Sequence, residues 1–576
     1  MRDIDPNQVV FTLNARCRDC YRCLRVCPVK AIRMHNGQAC VDEQRCIACG
    51  TCIRECPQKA KSFRSDLETV GKMLANGYAV AASVAPSFAA EFSEWQRKRL
   101  ASALRKLGFK YIGQTSQGAW QVSQAVLRSV KDGRKGLCIS TACPALINYV
   151  EKYRPELVNY LIPVVSPMIA HGKMLKSKLG PESKVVFIGP CIAKKSEIQR
   201  PQNAGIVDAV LTFNELLEWF EKKGINLSAC EESNFDEDPV DCSQLFPLPG
   251  GLIKSAGLID NGLKIELVQA SGPDNIKELL DSVPGNRDYF LLEPLFCSHG
   301  CINGPGMNTE KNIFERRQNI IDYSAGANRK IPAVIDPQTL GTGYAAQARF
   351  GREVSESEIL NILEQTGKSD PGQRLNCGAC GYDSCREKAI AVAQGMAELE
   401  MCIPYMRRLA ERRTDRIIET SPNGIVILDK DLNMISMNQA FKTFFSCSDS
   451  LLGKNISCVI DPAPFEKIAA GMADNIELTA FHKAHKIVCH ELFYALRQEK
   501  QYAGIFVNVS HLQDNEHKLK QIKSQTLNQA KELLEHQIKM AQNIAMFLGE
   551  STARGEELVN KLMALSQDDE EKPNKP

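Results

Sequence analysis

The sequence predicts a multidomain chain: a small α+β N-terminus rich in cysteine, an α/β core, a small α-rich cysteine module, a second α+β domain and a C-terminal helix compatible with a coiled coil. Three observations predict it. Cysteines fall in closely spaced groups at both ends of the first 402 residues, apolar strand-like runs alternate with long helical stretches between them, and a strand-rich pattern followed by a seven-residue repeat occupies the rest. The boundaries we assign are 1–65, 75–365, 370–410, 411–510 and 511–566, with a tail over 567–576 whose composition predicts disorder.

Composition narrows the class. With 576 residues, 44% hydrophobic and 24% charged, the chain reads as soluble globular protein of about four domains. A net charge of +3 carries no nucleic-acid footprint. The opening MRDIDPNQVVFTLN lacks the basic start and apolar core of a secretory signal, and no apolar run approaches the ~18 residues of a membrane helix. The 23 cysteines are far above ordinary usage, and their grouping points to metal clusters in a reducing cytoplasm, not to a secreted disulfide scaffold. Cys40, Cys138, Cys230, Cys242, Cys447, Cys458 and Cys489 fall outside the groups and are read as bystander thiols.

At the N-terminus, Cys17, Cys20, Cys23 and Cys27 followed by Pro28 form CxxCxxCxxxCP, and Cys46, Cys49, Cys52 and Cys56 followed by Pro57 repeat it. CxxC pairs also bind zinc, but two complete copies with the proline resemble the bacterial two-cluster ferredoxins. In that pattern the fourth cysteine serves the other cluster. The resemblance therefore implies one 4Fe-4S cube on Cys17, Cys20, Cys23 and Cys56 and another on Cys46, Cys49, Cys52 and Cys27.

In the core, YAVAASVAP, KVVFIGP, AVLTF and YFLLEPLF read as strands, and SEWQRKRLASALRKLGF and CPALINYVEKYRPELVNYL as helices. Cysteines follow the strand-like runs. Cys143 lies in STACPALI, Cys191 in VVFIGPCIAKKSE, and Cys297 and Cys301 in EPLFCSHGCINGPGM, where Gly300, Gly304 and Gly306 permit close backbone approach. Two thiolates cannot close a four-ligand site, whereas three strand ends offer four. The acidic ACEESNFDEDPVDCS between them reads as a solvated surface loop.

These three loops, with SerProMet at 166–168, resemble the signature loops of the iron-only (FeFe) hydrogenases over about residues 78–365. The resemblance implies an H-cluster: a 4Fe-4S cube on Cys143, Cys191, Cys297 and Cys301, with Cys301 bridging to a two-iron unit carrying carbonyl, cyanide and a bridging dithiolate amine. It implies that Lys194 hydrogen-bonds a cyanide, a charge-assisted contact. Several positions depart from the family. Ala142 stands where a cysteine usually relays protons, GAWQVSQAV with Ser123 and Gln124 stands where the usual proton route carries paired carboxylates, and Gly189 and Leu295 replace methionines beside the two-iron unit.

Beyond the core, Cys377, Cys380, Cys385 and Cys402 resemble a small 4Fe-4S electron-transfer module, which would bring the cubes to four. It reads as a relay placed between the core and the second α+β domain. RIIETSPNGIVILDKDLNMISMNQAFKTFF resembles a PAS domain, with HKIVCHELFYAL and YAGIFVNVS as its closing hairpin. From 511, Leu527, Leu534, Ala541 and Leu548 recur every seven residues, which suits either a dimeric coiled coil or one amphipathic helix on its own domain.

A catalytic detector, a wire and a helical output resemble the sensory group of these hydrogenases. The implied function is slow, reversible oxidation of molecular hydrogen to protons, with a ferredoxin-like electron carrier and a separate phosphatase or kinase as output partner. The alternative is a non-catalytic iron-sulfur redox sensor or scaffold that lacks the two-iron subcluster.

Overall fold

The backbone of the N-terminal region repeats along with its cysteines. Asp19, Tyr21 and Lys30 have φ of 55°, 56° and 49°, and their counterparts Ala48, Gly50 and Lys59 have 57°, 75° and 50°. Left-handed residues at matched places let two short loops bend alike, and the amides of Ala31 and Ala60 each donate to a cysteine sulfur, Cys27 and Cys56, at 3.2 Å. Two short helices, Arg22–Arg25 and Thr51–Arg54, carry the third cysteine of each copy. Antiparallel ribbons pair Val10–Thr12 with Lys61–Phe63 and Ile32–His35 with Gln38–Val41.

The structure is a computed structural model that describes residues 8–131, 137–240, 242–258, 266–282, 290–307, 310–325, 332–347, 351–496 and 500–510. The helix expected over 511–566 and the tail over 567–576 lie outside the described residues. The chain divides into two units, Met1–Met406 and Arg407–Pro576.

In the first unit the α/β core is built on two parallel sheets. One has the spatial order Tyr111–Gln114, Val80–Val84, Lys184–Gly189 and Ala209–Thr212. The other runs Glu266–Ser271, Phe290–Leu295 and Leu137–Ile139. Parallel strands need crossovers that cover the sheet, which is why Val80–Val84 is buried along its whole length. The helix Glu94–Leu107 starts at a Ser93/Gln96 capping box and stops at Gly108, where φ is 109°.

Two expectations need correction here. The stretch from Pro144 to Tyr160 is not one helix: it breaks into Pro144–Tyr153 and a 3-10 turn Pro155–Tyr160, because Pro155 has no amide to continue the ladder. The acidic stretch is not simply a solvated loop. Asp236 donates its amide to the Ile112 carbonyl at 2.9 Å and accepts from the Ile112 amide at 2.7 Å, and Glu237 accepts from the Gln114 amide at 3.0 Å. The edge of the first sheet is thereby covered.

The cysteine module near residue 380 also departs from expectation: it packs back onto the N-terminal region and is not a relay reached only past the core. Met34 donates its amide to Met396 O at 3.0 Å, Arg25 donates to Ala379 O at 3.1 Å, and Lys30 donates to Gly381 O at 2.8 Å. Leu24, 0% exposed, lies so close to Gly381 that an added Cβ would sit 2.9 Å from its Cγ. Tyr382 is buried in the same cluster as Leu24 and Cys27.

The second unit holds one antiparallel sheet in the order Met434–Met437, Gly424–Leu428, Gln501–Asn508, Ile487–Leu496 and Asn475–His482. The hairpin Ile487–Leu496/Gln501–Asn508 falls where the alternating runs place it. Asn438 caps the helix Gln439–Phe444 by accepting from Phe441 N at 3.0 Å, and its amide group donates to Ile418 O at 2.9 Å, at the end of the helix Ile403–Thr420. Phe441, Phe445, Phe465, Phe493 and Phe506 fill the interior, with ring centroids 4.7–5.7 Å apart in successive pairs.

The Leu24–Gly381 contact makes a test. Gly381→Val adds a branched side chain at φ 91° against Leu24, so hydrogen exchange over 376–400 should rise by ~10-fold or more while the second unit exchanges as before. Unchanged protection would show that this contact does not hold the module.

Candidate metal centre

Each core cysteine is presented where a parallel strand gives way to a turn. Cys143 is the N-cap of Pro144–Tyr153, after the strand Leu137–Ile139. Cys191 sits between the strand Lys184–Gly189 and the short helix Ala193–Glu197. Cys297 follows the strand Phe290–Leu295, and Cys301 opens the 3-10 turn Cys301–Asn303. Backbone bonds tie these loops together: Cys301 N donates to Pro247 O at 2.7 Å and Gly306 N to Pro190 O at 2.9 Å. A Cβ at Gly300 would lie 2.4 Å from Pro247 O, so only glycine fits there.

All four cysteines and Lys194 line one cavity, whose other walls are mainly apolar and include Ala142, Met168, Phe187, Phe246 and Leu295. Such walls penalise anions. Burial pushes the Cys191 thiol up to about 11 and raises Cys297 and Cys301 well above the ordinary thiol range, and each is raised further by its cysteine neighbours. Lys194 works in the opposite direction on Cys191 and Cys301. These three can be thiolates together beside Cys143 only if cations compensate them, which is the donor chemistry of an iron-sulfur cube. Among the described residues no three of His, Cys, Asp or Glu are gathered as one metal ion would require. A cube takes one thiolate per iron and needs no such convergence.

Residues 78–305 match the family model for the C-terminal domain of the iron-only hydrogenase large subunit. The chain carries an iron-only hydrogenase domain. A 4Fe-4S dicluster domain matches 10–57, an Fe-S cluster family matches 373–404 and a PAS domain matches 412–477. Among curated relatives, the large subunit of a periplasmic Fe hydrogenase from Nitratidesulfovibrio vulgaris is 26% identical over 268 residues, 38% of this chain and 64% of its own. Iron hydrogenase 1 of Clostridium pasteurianum is 26% identical over 276 residues, 39% of this chain and 48% of its own. The cytosolic Fe-S cluster assembly factor NAR1 of Vanderwaltozyma polyspora is 33% identical over 110 residues, 19% of this chain and 21% of its own. The chain thus spans less than two thirds of the length of these relatives. A solved FeFe hydrogenase from Chlamydomonas reinhardtii aligns over 49% of this chain and 99% of that one, at 20% identity and a TM-score of 0.39.

Within the hydrogenase domain, Ala142 lines the cavity and offers only a methyl group. A side chain at Gly189 would lie 2.6 Å from the Phe187 ring, so that ring takes the space a larger residue there would need. Lys194 is 7% exposed and is held by Glu197 at 2.7 Å. Neither residue is a solvated surface charge.

The N-terminal cysteines gather in two sets. Cys23 has Cys17, Cys20 and Cys56 as electrostatic neighbours, and Cys52 has Cys27, Cys46 and Cys49. The second set faces the core, since Cys49 lines the hydrogenase cavity. Contact there is close: a Cβ at Gly50 would meet Pro305 Cγ at 2.5 Å, and Arg54 donates to Asn303 O at 3.1 Å. In the third module Cys380 neighbours Cys377 and Cys402, while the Lys368 ammonium donates to both Cys385 Sγ and Cys402 Sγ at 3.2 Å.

Sequence reading passed over three of these residues. Lys368 stands alone in a polar linker and carries no signal, and Glu197 is one more charge on a short helix. Glu293 did carry one: a carboxylate inside the apolar run FLLEPLF must be buried if that run is a strand. It is 2% exposed and accepts from the Leu252 and Ile253 amides at 3.0 and 3.1 Å. Burial nevertheless pushes its carboxyl up to about 7.

That shift has a sign in stability. Between the ordinary value of 4.5 and about 7 the unfolded chain releases a proton that the folded one keeps, so Glu293 makes the protein less stable as pH rises through this window. Glu293→Gln lacks the term. Its urea midpoint relative to the native protein should therefore rise between about pH 5 and about pH 8, and a constant difference across that range would contradict the buried, raised carboxyl.

Proposed function

We propose that this chain is a cytoplasmic hydrogen-sensing iron-only hydrogenase that slowly and reversibly oxidises molecular hydrogen and passes the redox state to its PAS domain. The observation that carries this reading is the convergence of Cys143, Cys191, Cys297, Cys301 and Lys194 on one buried, mainly apolar cavity. Cys143, Cys191 and Cys297 would hold a cube, Cys301 would bridge it to the two-iron unit, and that unit when bound would supply the chemistry on hydrogen. Lys194, oriented by Glu197, would donate to an anionic cyanide with little water to compete. Phe187, Met168 and Leu295 would exclude solvent.

Electrons would leave toward Cys46, Cys49, Cys52 and Cys27, the set at the cavity wall. From there two destinations adjoin: the set Cys17, Cys20, Cys23 and Cys56, serving a ferredoxin-like carrier, and the set Cys377, Cys380, Cys385 and Cys402, packed against Leu24. The buried Lys368 ammonium favours the more negative, reduced form of the last set. Cys402 immediately precedes the helix Ile403–Thr420, whose end Asn438 fastens to the PAS fold. A separate signalling protein, a kinase or phosphatase, would read the result, and the region beyond residue 510 would serve as output or homodimer contact.

A second reading is supported by Ala142 and by the similarity to assembly factors: a redox sensor or scaffold with cubes but no two-iron unit. Infrared spectroscopy separates the two. Protein matured with the dedicated cofactor-assembly machinery should show carbonyl and cyanide bands, Cys301→Ser should abolish them, and the N-terminal clusters should persist in that variant. Native protein without such bands would sink the hydrogenase reading.

The signalling half has its own test. Hydrogen exchange over 424–508 should differ between hydrogen and inert gas, because a charge that biases a two-state element acts only through its differential energy. Cys385→Ser should remove that difference. Its survival would mean that the third module is not the transmitter.

A further inference from the structure

With Ala142, the hydrogenase cavity has no thiol beyond the cysteines assigned to clusters to move protons, yet a continuous line of polar side chains reaches that cavity from another direction. Thr115 lines the cavity, one residue past the strand Tyr111–Gln114. Its Oγ1 is 2.8 Å from Ser83 Oγ on the neighbouring strand, and Ser83 Oγ is 2.7 Å from His171 Nδ1 on the helix Pro167–Leu179. The other imidazole nitrogen, His171 Nε2, is 2.9 Å from Glu237 Oε2. Glu237 belongs to the acidic loop that covers the sheet edge, and it also lines a surface hollow with Gln117, Lys173, Lys178, Asp236 and Asp238. We infer that Glu237, His171, Ser83 and Thr115 form a proton relay between solvent and the hydrogenase cavity.

Three features argue against mere packing. Ser83 and His171 are both 0% exposed, in the middle of an apolar core where hydrocarbon side chains of like volume would serve stability equally well. Room is made for them. A Cβ at Gly113 would lie 2.5 Å from Glu237 Oε2 and 2.8 Å from His171 Cε1, and one at Gly118 would lie 2.6 Å from the His171 amide. The chain also has the right ends, one group at the cavity and one at solvent, with no gap between hydrogen-bonded neighbours.

The transfer balances without any further reactant. Moving inward, with His171 in its Nδ1–H tautomer, the Glu237 carboxyl gives a proton to His171 Nε2, His171 Nδ1–H gives one to Ser83 Oγ, Ser83 gives its hydroxyl proton to Thr115, and Thr115 releases one into the cavity; a turn of the imidazole ring then restores the starting tautomer. Each hop breaks one O–H or N–H bond and makes another, so one proton enters and one leaves. Reversal exports protons when hydrogen is oxidised. Around Glu237 the other charged or titratable groups are His171, Lys173 and Lys178 from the helix Pro167–Leu179, Tyr111 from the strand and Asp236 and Asp238 on its own loop. Burial works to raise the Glu237 carboxyl, but His171, the Gln114 amide and Lys178 together hold it below the ordinary carboxylate value. A proton arriving from solvent therefore meets an anion already joined to the imidazole.

This inference rests on the hydrogenase reading above. A relay controls rates and leaves equilibria alone, which sets the test. In matured protein, Thr115→Val and Glu237→Gln should slow both hydrogen–deuterium exchange turnover and the infrared-monitored interconversion of states after a hydrogen jump, each by ~100-fold or more. Carbonyl and cyanide band positions and final populations should stay native. Thr115→Ser, which keeps the hydroxyl, should restore the rate, and Glu237→Gln at the solvent end tests the same line should Thr115→Val fail to fold. Native rates in both Thr115→Val and Glu237→Gln would overturn the relay, as would a rate loss that Thr115→Ser does not restore. Absence of bands in the native protein would instead bring down the hydrogenase reading, and the relay with it.

Discussion

Cys191, Cys297 and Cys301, crowded with Cys143 around one cavity, are unstable as anions unless positive charge joins them, and the rest of the first unit is arranged around that constraint. Desolvation and mutual repulsion both raise Cys191, Cys297 and Cys301, and Lys194 alone cannot offset three or four negative charges. Metal binding and completion of these loops are therefore linked, because a cation both permits thiolate formation and satisfies the buried donors. The two parallel sheets make this possible. Their strands end beside one another, so loops distant in sequence meet at one place, and the backbone bonds Cys301 N to Pro247 O and Gly306 N to Pro190 O hold them there.

Order along the chain is a poor guide to order in space. The module at 373–404 lies after the hydrogenase domain in sequence but is bonded to the N-terminal region through Met34, Arg25 and Lys30. The N-terminal region touches both it and the cavity, Leu24 against Gly381 on one side and Gly50 against Pro305 on the other. In the proposed reading, a redox change at the cavity would have two outlets through one small domain, and Lys368 would bias them unequally.

What could be read from sequence was what is written locally. Repeated CxxC spacing, apolar runs ending in cysteine, and the Asn438 cap with its following hairpin each concern residues near one another, and the α/β core, the iron-sulfur region and the PAS domain are present where those patterns lie. The cysteine loops were legible because glycine, proline and thiol recur in an order few other sites need. Docking of Gly381 on Leu24 was not, since it depends on a missing side chain at one place and an ordinary leucine at another. The acidic loop misled for a related reason: a run of carboxylates looks the same whether water or a backbone edge satisfies it, and here Asp236 and Glu237 answer the amides of Ile112 and Gln114. Ser83, Thr115 and His171 lie in three separate elements, and no spacing rule joins them.

The polar line through Ser83 and His171 also bears on how the proposed detector would do without a thiol at position 142. A cysteine of pKa near ~8.5 lies close to neutrality and exchanges protons quickly, whereas serine and threonine hydroxyls must hand one proton on as they accept another. Every hydroxyl hop then needs its neighbours aligned, and that requirement slows the passage without closing it. For turnover this is a loss. For a sensor it is compatible with the task, because the occupancy of a reduced state is set by free-energy differences, and slow proton passage delays the approach to equilibrium without moving its position. In the proposed reading, a buried imidazole joined at 2.9 Å to a carboxylate lining a surface hollow and at 2.7 Å to a buried hydroxyl would suit reading hydrogen better than consuming it.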